Sequence, residues 1–210
     1  MVIEAGRTVF ARDGFSGATI ERVAREAGTP RSSVYQLFAG KEELFTAVVA
    51  DSAERFVTHL ERAIEQGDEL ELRDYVRNNF AAVFDLFGAD HDSVTVLLNA
   101  ERGGLEPPMR AVAETRRRVL TDIAEATRRR WESYGFELGA ASEILPLMYF
   151  GMAEAVAVRQ ANDGRYDREA LIDLLTEFTL GGLYRLGRHP DVLTAAGRRT
   201  GPPARPTPPP

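Results

Sequence analysis

The chain has no cysteine, so a disulfide framework, a thiolate metal site and a thiol switch are all excluded. It has only three histidines, His59, His91 and His189, too far apart for a paired metal-ligand spacing, and each reads as a surface residue. No apolar run is long enough to span a membrane, and no signal peptide precedes Phe10, so a cytoplasmic protein is expected. Alternating strand patterns are missing, as are a phosphate loop and a dinucleotide fingerprint. Gly14-Phe15-Ser16-Gly17 falls one residue short of a nucleophile elbow and lacks a strand before it. No catalytic residue, metal or cofactor is therefore expected, and the protein reads as a non-enzyme.

An excess of basic charge is missing too. The 210 residues carry a net charge of −6, from 26 Lys or Arg against 32 Asp or Glu. That surplus is not spread evenly. Residues 1–50 hold six basic and six acidic side chains, so residues 51–210 hold the remaining 20 and 26. Phosphate neutralisation is a local count, so a neutral N-terminal segment keeps non-specific DNA affinity low without excluding a DNA footprint.

What that segment does have is an ordered set of helix signals. Ile20, Val23, Ala24 and Ala27 lie at helical spacing, and Gly28 can take the left-handed turn that ends such a helix. Thr29 can cap a second helix, with Pro30 at its first position. On that helix Val34, Leu37 and Phe38 fall together, whereas Ser32 and Gln36 lie opposite, flanked by Ser33 and Tyr35, with Arg31 nearer the apolar side. A merely solvated helix more often carries Lys and Glu. Ser, Gln, Arg and Tyr can approach base edges and phosphates. A third helix begins after Gly40, with Lys41 in its first turn adding positive charge to N–H groups that already favour anions.

These residues carry a family resemblance. Gly14 to Thr19 (GFSGAT), the run IERVAREAG after it, Ser32 to Phe38 (SSVYQLF) and Lys41 to Phe45 (KEELF) resemble the TetR/AcrR family of one-component transcription regulators over about the first fifty residues. The resemblance implies an N-terminal three-helix DNA-binding domain and a helical C-terminal domain that dimerises and binds a small molecule. It implies a homodimeric repressor that leaves a palindromic operator when the effector binds. Matched residue by residue, Tyr35 and Lys41 would hold phosphates, Thr19 would cap the second helix near the backbone, and Arg31, Ser32, Ser33 and Gln36 would face bases. With Thr29 these form the expected DNA-binding set. The chain departs from the family pattern at Thr29, Pro30 and Ser32, where valine, serine and glycine are usual, and at Leu37, where histidine or tyrosine is common. The first helix is expected to begin almost at Met1, leaving no basic arm to enter a minor groove. An activator, a repressor controlled by a protein partner, or a helical binding protein or enzyme that kept the fold without DNA recognition remain alternatives.

The expected fold is all-α, with residues 1–46 as the helix-turn-helix domain, 47–187 as the helical ligand-binding and dimerisation domain, and 188–210 as a disordered tail holding seven of the eleven prolines. Glycine and proline divide the middle into helices over about Lys41 to Gln66, from a cap at Asp68 to Phe87, Val94 to Asn99, Pro107 to Tyr134, Glu137 to Ala161 and, after Asp167, to near Gly187. The helix from Glu137 is apolar nearly all round between Ile144 and Met152. With a stripe of Leu171, Leu174, Leu175, Phe178 and Gly182 on the last helix, it suits a four-helix dimer interface, with Ile144, Leu147 and Phe150 as its contribution, or else a monomer core. Arg116 falls in the middle of an apolar stripe of Met109, Val112, Val119, Leu120 and Ile123. An unpaired buried guanidinium is costly, so it needs an anionic ligand, a route to water or an internal acid such as Glu101 or Glu154. Asn79 is likewise a polar residue on an apolar face, with Phe80, Val83, Phe84 and Phe87 nearby in sequence. With Met148 and Met152 these residues are the candidate ligand lining, or simply core.

Overall fold

The computed structural model describes residues 1–67, 69–103, 106–133, 135, 141–189 and 191–193, and among these every regular element is an α-helix. α1 spans Val2–Gly17, α2 Ile20–Glu26, α3 Arg31–Leu37 and α4 Lys41–Gln66. They are followed by α5 Leu72–Ala89, α6 His91–Gly103, α7 Glu106–Ser133, α8 Ala141–Asp163 and α9 Arg168–Gly187. The expected cap at Asp68 and the start of a helix at Glu137 lie outside the described residues, as do residues 194–210 of the expected tail. The tail does not begin at Arg188, however. A further turn follows α9, and Leu193 is buried against Ala141, Leu145 and Leu183.

Local chemistry sets the N-terminal turns. Thr19 accepts a hydrogen bond from the Arg22 N–H at 3.2 Å, which satisfies one of the free donors that open α2. At its other end Gly28 takes φ 62°, its N–H bonds to the Arg25 carbonyl at 3.1 Å and the Thr29 N–H bonds to the Ala24 carbonyl at 2.9 Å. That pair of bonds is a Schellman stop, which only glycine enters without strain. The next helix starts one residue later than its sequence suggests: Pro30 is the N-cap, with extended backbone, and no side chain caps α3. Thr29 is thus a linker residue.

α4 is the spine, with α1, α5, α6 and α7 all packed against it. Its approach to α1 is close enough that a Cβ on Gly6 would sit 2.9 Å from Val48 Cγ2. The join is aromatic. Phe10 and Phe45 pack edge-on at 4.8 Å and Phe15 lies 5.0 Å from Phe45. Burying Phe10 and Phe45 contributes about 1.5–3 kcal/mol each. Buried apolar side chains run without a break from Ala5 to Leu180, so the DNA-reading end and the helical body share one core. α9 lies along α5, tied by Arg77 to Asp173 at 2.9 Å and to Glu169 at 2.5 Å, and by Arg73 to Glu177 at 2.9 Å.

Candidate DNA interface and effector cavities

α3 presents Arg31, Ser32, Tyr35 and Gln36 to solvent while Val34 is fully buried beneath them, and Ser33 is half-buried. Leu37 departs from its expected place. It is 62 % exposed rather than on the apolar side, because the helix ends there and the buried face passes to Val34 and Phe38. An exposed apolar group beside Gln36 can contact a thymine methyl. Arg31 is already engaged: it reaches Glu21 on α2 at 2.5 Å, donates to the Tyr35 hydroxyl at 2.9 Å and stacks over the Tyr35 ring at 5.1 Å. Binding DNA would exchange Glu21 for a phosphate or base acceptor.

Lys41 donates to the Phe15 carbonyl at 2.8 Å and sits 4.4 Å from the Phe15 ring, so it secures the end of α1 as well as lending charge to the start of α4. The Glu43 carboxylate in that turn reaches back to accept the Ala39 N–H at 2.5 Å, which places a negative charge beside Lys41. α2 is braced to α1 through Asp13, which binds Arg22 at 2.8 Å and Arg12 at 3.0 Å. Those bonds, from Arg12 first and Arg22 second, hold the Asp13 carboxyl below its ordinary range. Two short helices braced in this way, with a polar second helix facing out, are a helix-turn-helix module.

The comparisons agree with this geometry. Residues 2–48 match the family model described as bacterial regulatory proteins, tetR family. The N-terminal segment is thus similar to the DNA-binding domain of tetR-family regulators. The chain is a DNA-binding transcriptional regulator. It is 21 % identical over 185 residues to the fatty acid metabolism regulator protein of Bacillus subtilis, covering 87 % of this chain and 94 % of that one. It is 45 % identical to the regulator SrpR of Pseudomonas putida, over 49 residues that make up 23 % of each chain. Its fold matches a crystal structure of the regulator FadR from Bacillus subtilis in complex with stearoyl-CoA, with TM-score 0.71, 20 % identity and coverage of 86 % and 97 %.

Within the helical body two small cavities share Phe150 in their linings. The first, of about 30 Å³, is lined by Phe56, Phe87, Val94, Leu97, Leu98, Val112, Thr115, Arg116, Phe150 and Glu154. The second, of about 40 Å³, is lined by Leu60, Ala63, Ile64, Asn79, Phe80, Ala82, Val83, Ile123, Tyr149, Phe150 and Ala153. Six of the expected residues line these cavities: Phe87, Val112 and Arg116 the first, Asn79, Phe80 and Val83 the second. Phe84 and Val119 are buried without lining either, and Met152 is half-buried against the core. Met109 and Met148 are exposed, a correction that follows from the turn of their helices away from the interior. Arg116 pairs with Glu154 through contacts of 3.1 and 3.3 Å, so the internal acid among the alternatives is present and an anionic ligand is not required to balance the charge.

The expected interface residues divide. Ile144, Leu147, Leu174, Phe178 and Gly182 are exposed, together with Met148. Phe150 and Leu175, by contrast, lie in the protein's own core and Leu171 is half-buried against it. His59 is not a plain surface residue either, since its half-buried ring nitrogen lies 3.0 Å from the Ala82 carbonyl on α5.

Proposed function

We propose that this chain is a homodimeric tetR-family repressor that occupies a palindromic operator and leaves it when a small, largely apolar effector enters the space between α5, α6, α7 and α8. The observation that carries the reading is the shared position of α6. Its Val94, Leu97 and Leu98 line the first cavity, while at its start Asp92 accepts a hydrogen bond from Thr8 of α1 at 2.9 Å. α1 in turn supports α2 and α3. Beside that contact the buried Arg7 binds Asp51 of α4 at 2.5 Å and Glu4 at 2.8 Å. A ligand that moves α6 therefore moves the reading module. It can shift the equilibrium only by its differential affinity for the two positions of α6.

The dimer is supported by the outer faces of α8 and α9, where Leu174 and Phe178 are 65 % and 67 % exposed. On α8, Ile144, Leu147, Met148 and Gly151 share one exposed face, and on α9 Leu174, Phe178 and Gly181 do so, with a glycine in each stripe permitting close helix approach. A contiguous apolar patch of that kind marks a protein interface. The likeness to a regulator crystallised with stearoyl-CoA supports an effector with a long apolar part.

The test is operator selection from random DNA with the full chain, followed by footprinting on the selected site. Protection of an inverted repeat, with half-sites about one helical turn of roughly 34 Å or a little more apart, is expected. Addition of apolar small molecules should then release the footprint. A selected DNA that no small molecule releases would remove the effector part of the proposal.

A further inference from the structure

The two cavities share Phe150 as a wall, and each is too small for more than a few water molecules. The Phe150 ring is buried, but its aromatic contact with Phe56 is a distant one. It meets Phe56 edge-on with centroids 6.1 Å apart, near the outer limit for an aromatic pair, whereas Phe10 and Phe45 in the reading module approach to 4.8 Å. Its helix is weakened in the turn before. Pro146, inside α8 and four residues earlier, supplies no N–H to the helical ladder, and Gly151, directly after Phe150, has open space around the position of a Cβ. Voids beside a ring also deprive it of contacts on one side, which lowers the cost of moving it.

The second cavity is lined by two unanswered polar groups. Asn79 Oδ1 and the Tyr149 hydroxyl are buried, and neither has a hydrogen-bond partner. A polar group left in this way has given up its water without a replacement, which destabilises the fold until something answers it. Burial pushes the Tyr149 phenol up, so it is a donor at neutral pH. Asn79 offers an acceptor. None of the side chains lining this cavity is charged.

We propose that Phe150 is a gate whose rotation joins the two cavities into one channel. The channel takes an elongated aliphatic molecule ending in a neutral group that both accepts and donates, an alcohol or a primary amide, bound by Tyr149 and Asn79. The proposal rests on the effector reading above and gives that site its chemistry. Such a ligand would answer the two polar groups left unpartnered in the second cavity, and the Arg116–Glu154 pair, neutral as a unit, lines the first. Because the closed gate reduces the binding-competent fraction, apparent affinity falls by that fraction.

The experiment is calorimetric titration of the full chain with decan-1-ol, with its methyl ether and with decanoate. The wild type should bind the alcohol about tenfold more tightly than the ether, which can accept but not donate, and more tightly than the anion. Asn79→Leu should abolish the preference of alcohol over ether. Phe150→Leu, which keeps an apolar side chain and is checked for folding by circular dichroism, should bind decan-1-ol about tenfold more tightly than the wild type, and Phe150→Trp about tenfold more weakly. Equal affinity for alcohol and ether in the wild type overturns the polar end. Unchanged affinity in Phe150→Leu overturns the gate. Operator release is read separately: binding of decan-1-ol without release leaves the gate standing and removes its link to DNA. Absence of binding in both wild type and Phe150→Leu removes the channel while leaving DNA binding untouched.

Discussion

The reading module and the outer face of α8 and α9 expose opposite kinds of surface. On α3 the exposed side is Arg31, Ser32, Tyr35 and Gln36 over a buried Val34, whereas on α9 it is Leu174 and Phe178. A polar face on a short braced helix awaits phosphates and bases, and an apolar face on a long helix awaits another protein surface. In the proposed dimer each region would be incomplete alone, and the second would set the spacing at which two copies of the first meet DNA.

The strongest way to break this division is to put charge on the apolar face. Leu174→Glu with Phe178→Asp should convert a dimer into a folded monomer in sedimentation analysis. Loss of the linked second half-site should weaken operator binding by about 10²–10⁴-fold. Retention of the dimer would show that the exposed stripe has another use.

On the polar side, Gln36→Ala should cost about 1–3 kcal/mol of operator affinity and relax the preference at one base position. Lys41→Ala should weaken all DNA alike and shallow the salt dependence by about one phosphate, with a small loss of melting temperature because Lys41 also holds the Phe15 carbonyl. Equal loss on all sequences for both variants would remove the distinction between a base reader and a phosphate holder.

Inside the body, Arg116→Met strands the Glu154 carboxylate. Both side chains keep some contact with water, at 38 % and 19 % exposure, so the loss should be about 1–2 kcal/mol rather than the larger cost of a fully buried pair. Adding Glu154→Leu should restore most of it in thermal unfolding. If the double variant is no more stable than the single one, the pair is not what holds Arg116 there.

The smallest effect is the acid response of the braces. Asp13 is held below its ordinary range by Arg12 and Arg22. Burial pushes Asp90 up, but hydrogen bonds from Arg55 and the Ser93 N–H outweigh it and leave it low. A depressed carboxylate pKa adds stability that is present above the unfolded value, about 3.9, and is lost as pH falls through the folded one. Melting temperature should therefore be flat from pH 7 to about 5 and fall below about pH 4, less steeply in Asp13→Asn.

The same contrast explains what was legible in the sequence. Thr19 and Gly28 act through bonds to residues three to five positions away, so their roles could be read locally. Leu37 could not, because its exposure depends on where α3 stops. α8 defeats periodicity altogether: with apolar residues on every side, nothing in the pattern says that Phe150 faces the core while Leu147 and Met148 face out. The partner of Arg116 was open for a similar reason, since the choice among acids depends on which helix packs opposite, and α8 does.

The most direct test of the two-surface account is sedimentation of the full chain with labelled duplexes carrying one half-site or an inverted repeat. Two chains bound together on the inverted repeat, with much weaker binding to the single half-site, are predicted. One chain binding a single half-site as tightly as the full operator would contradict it.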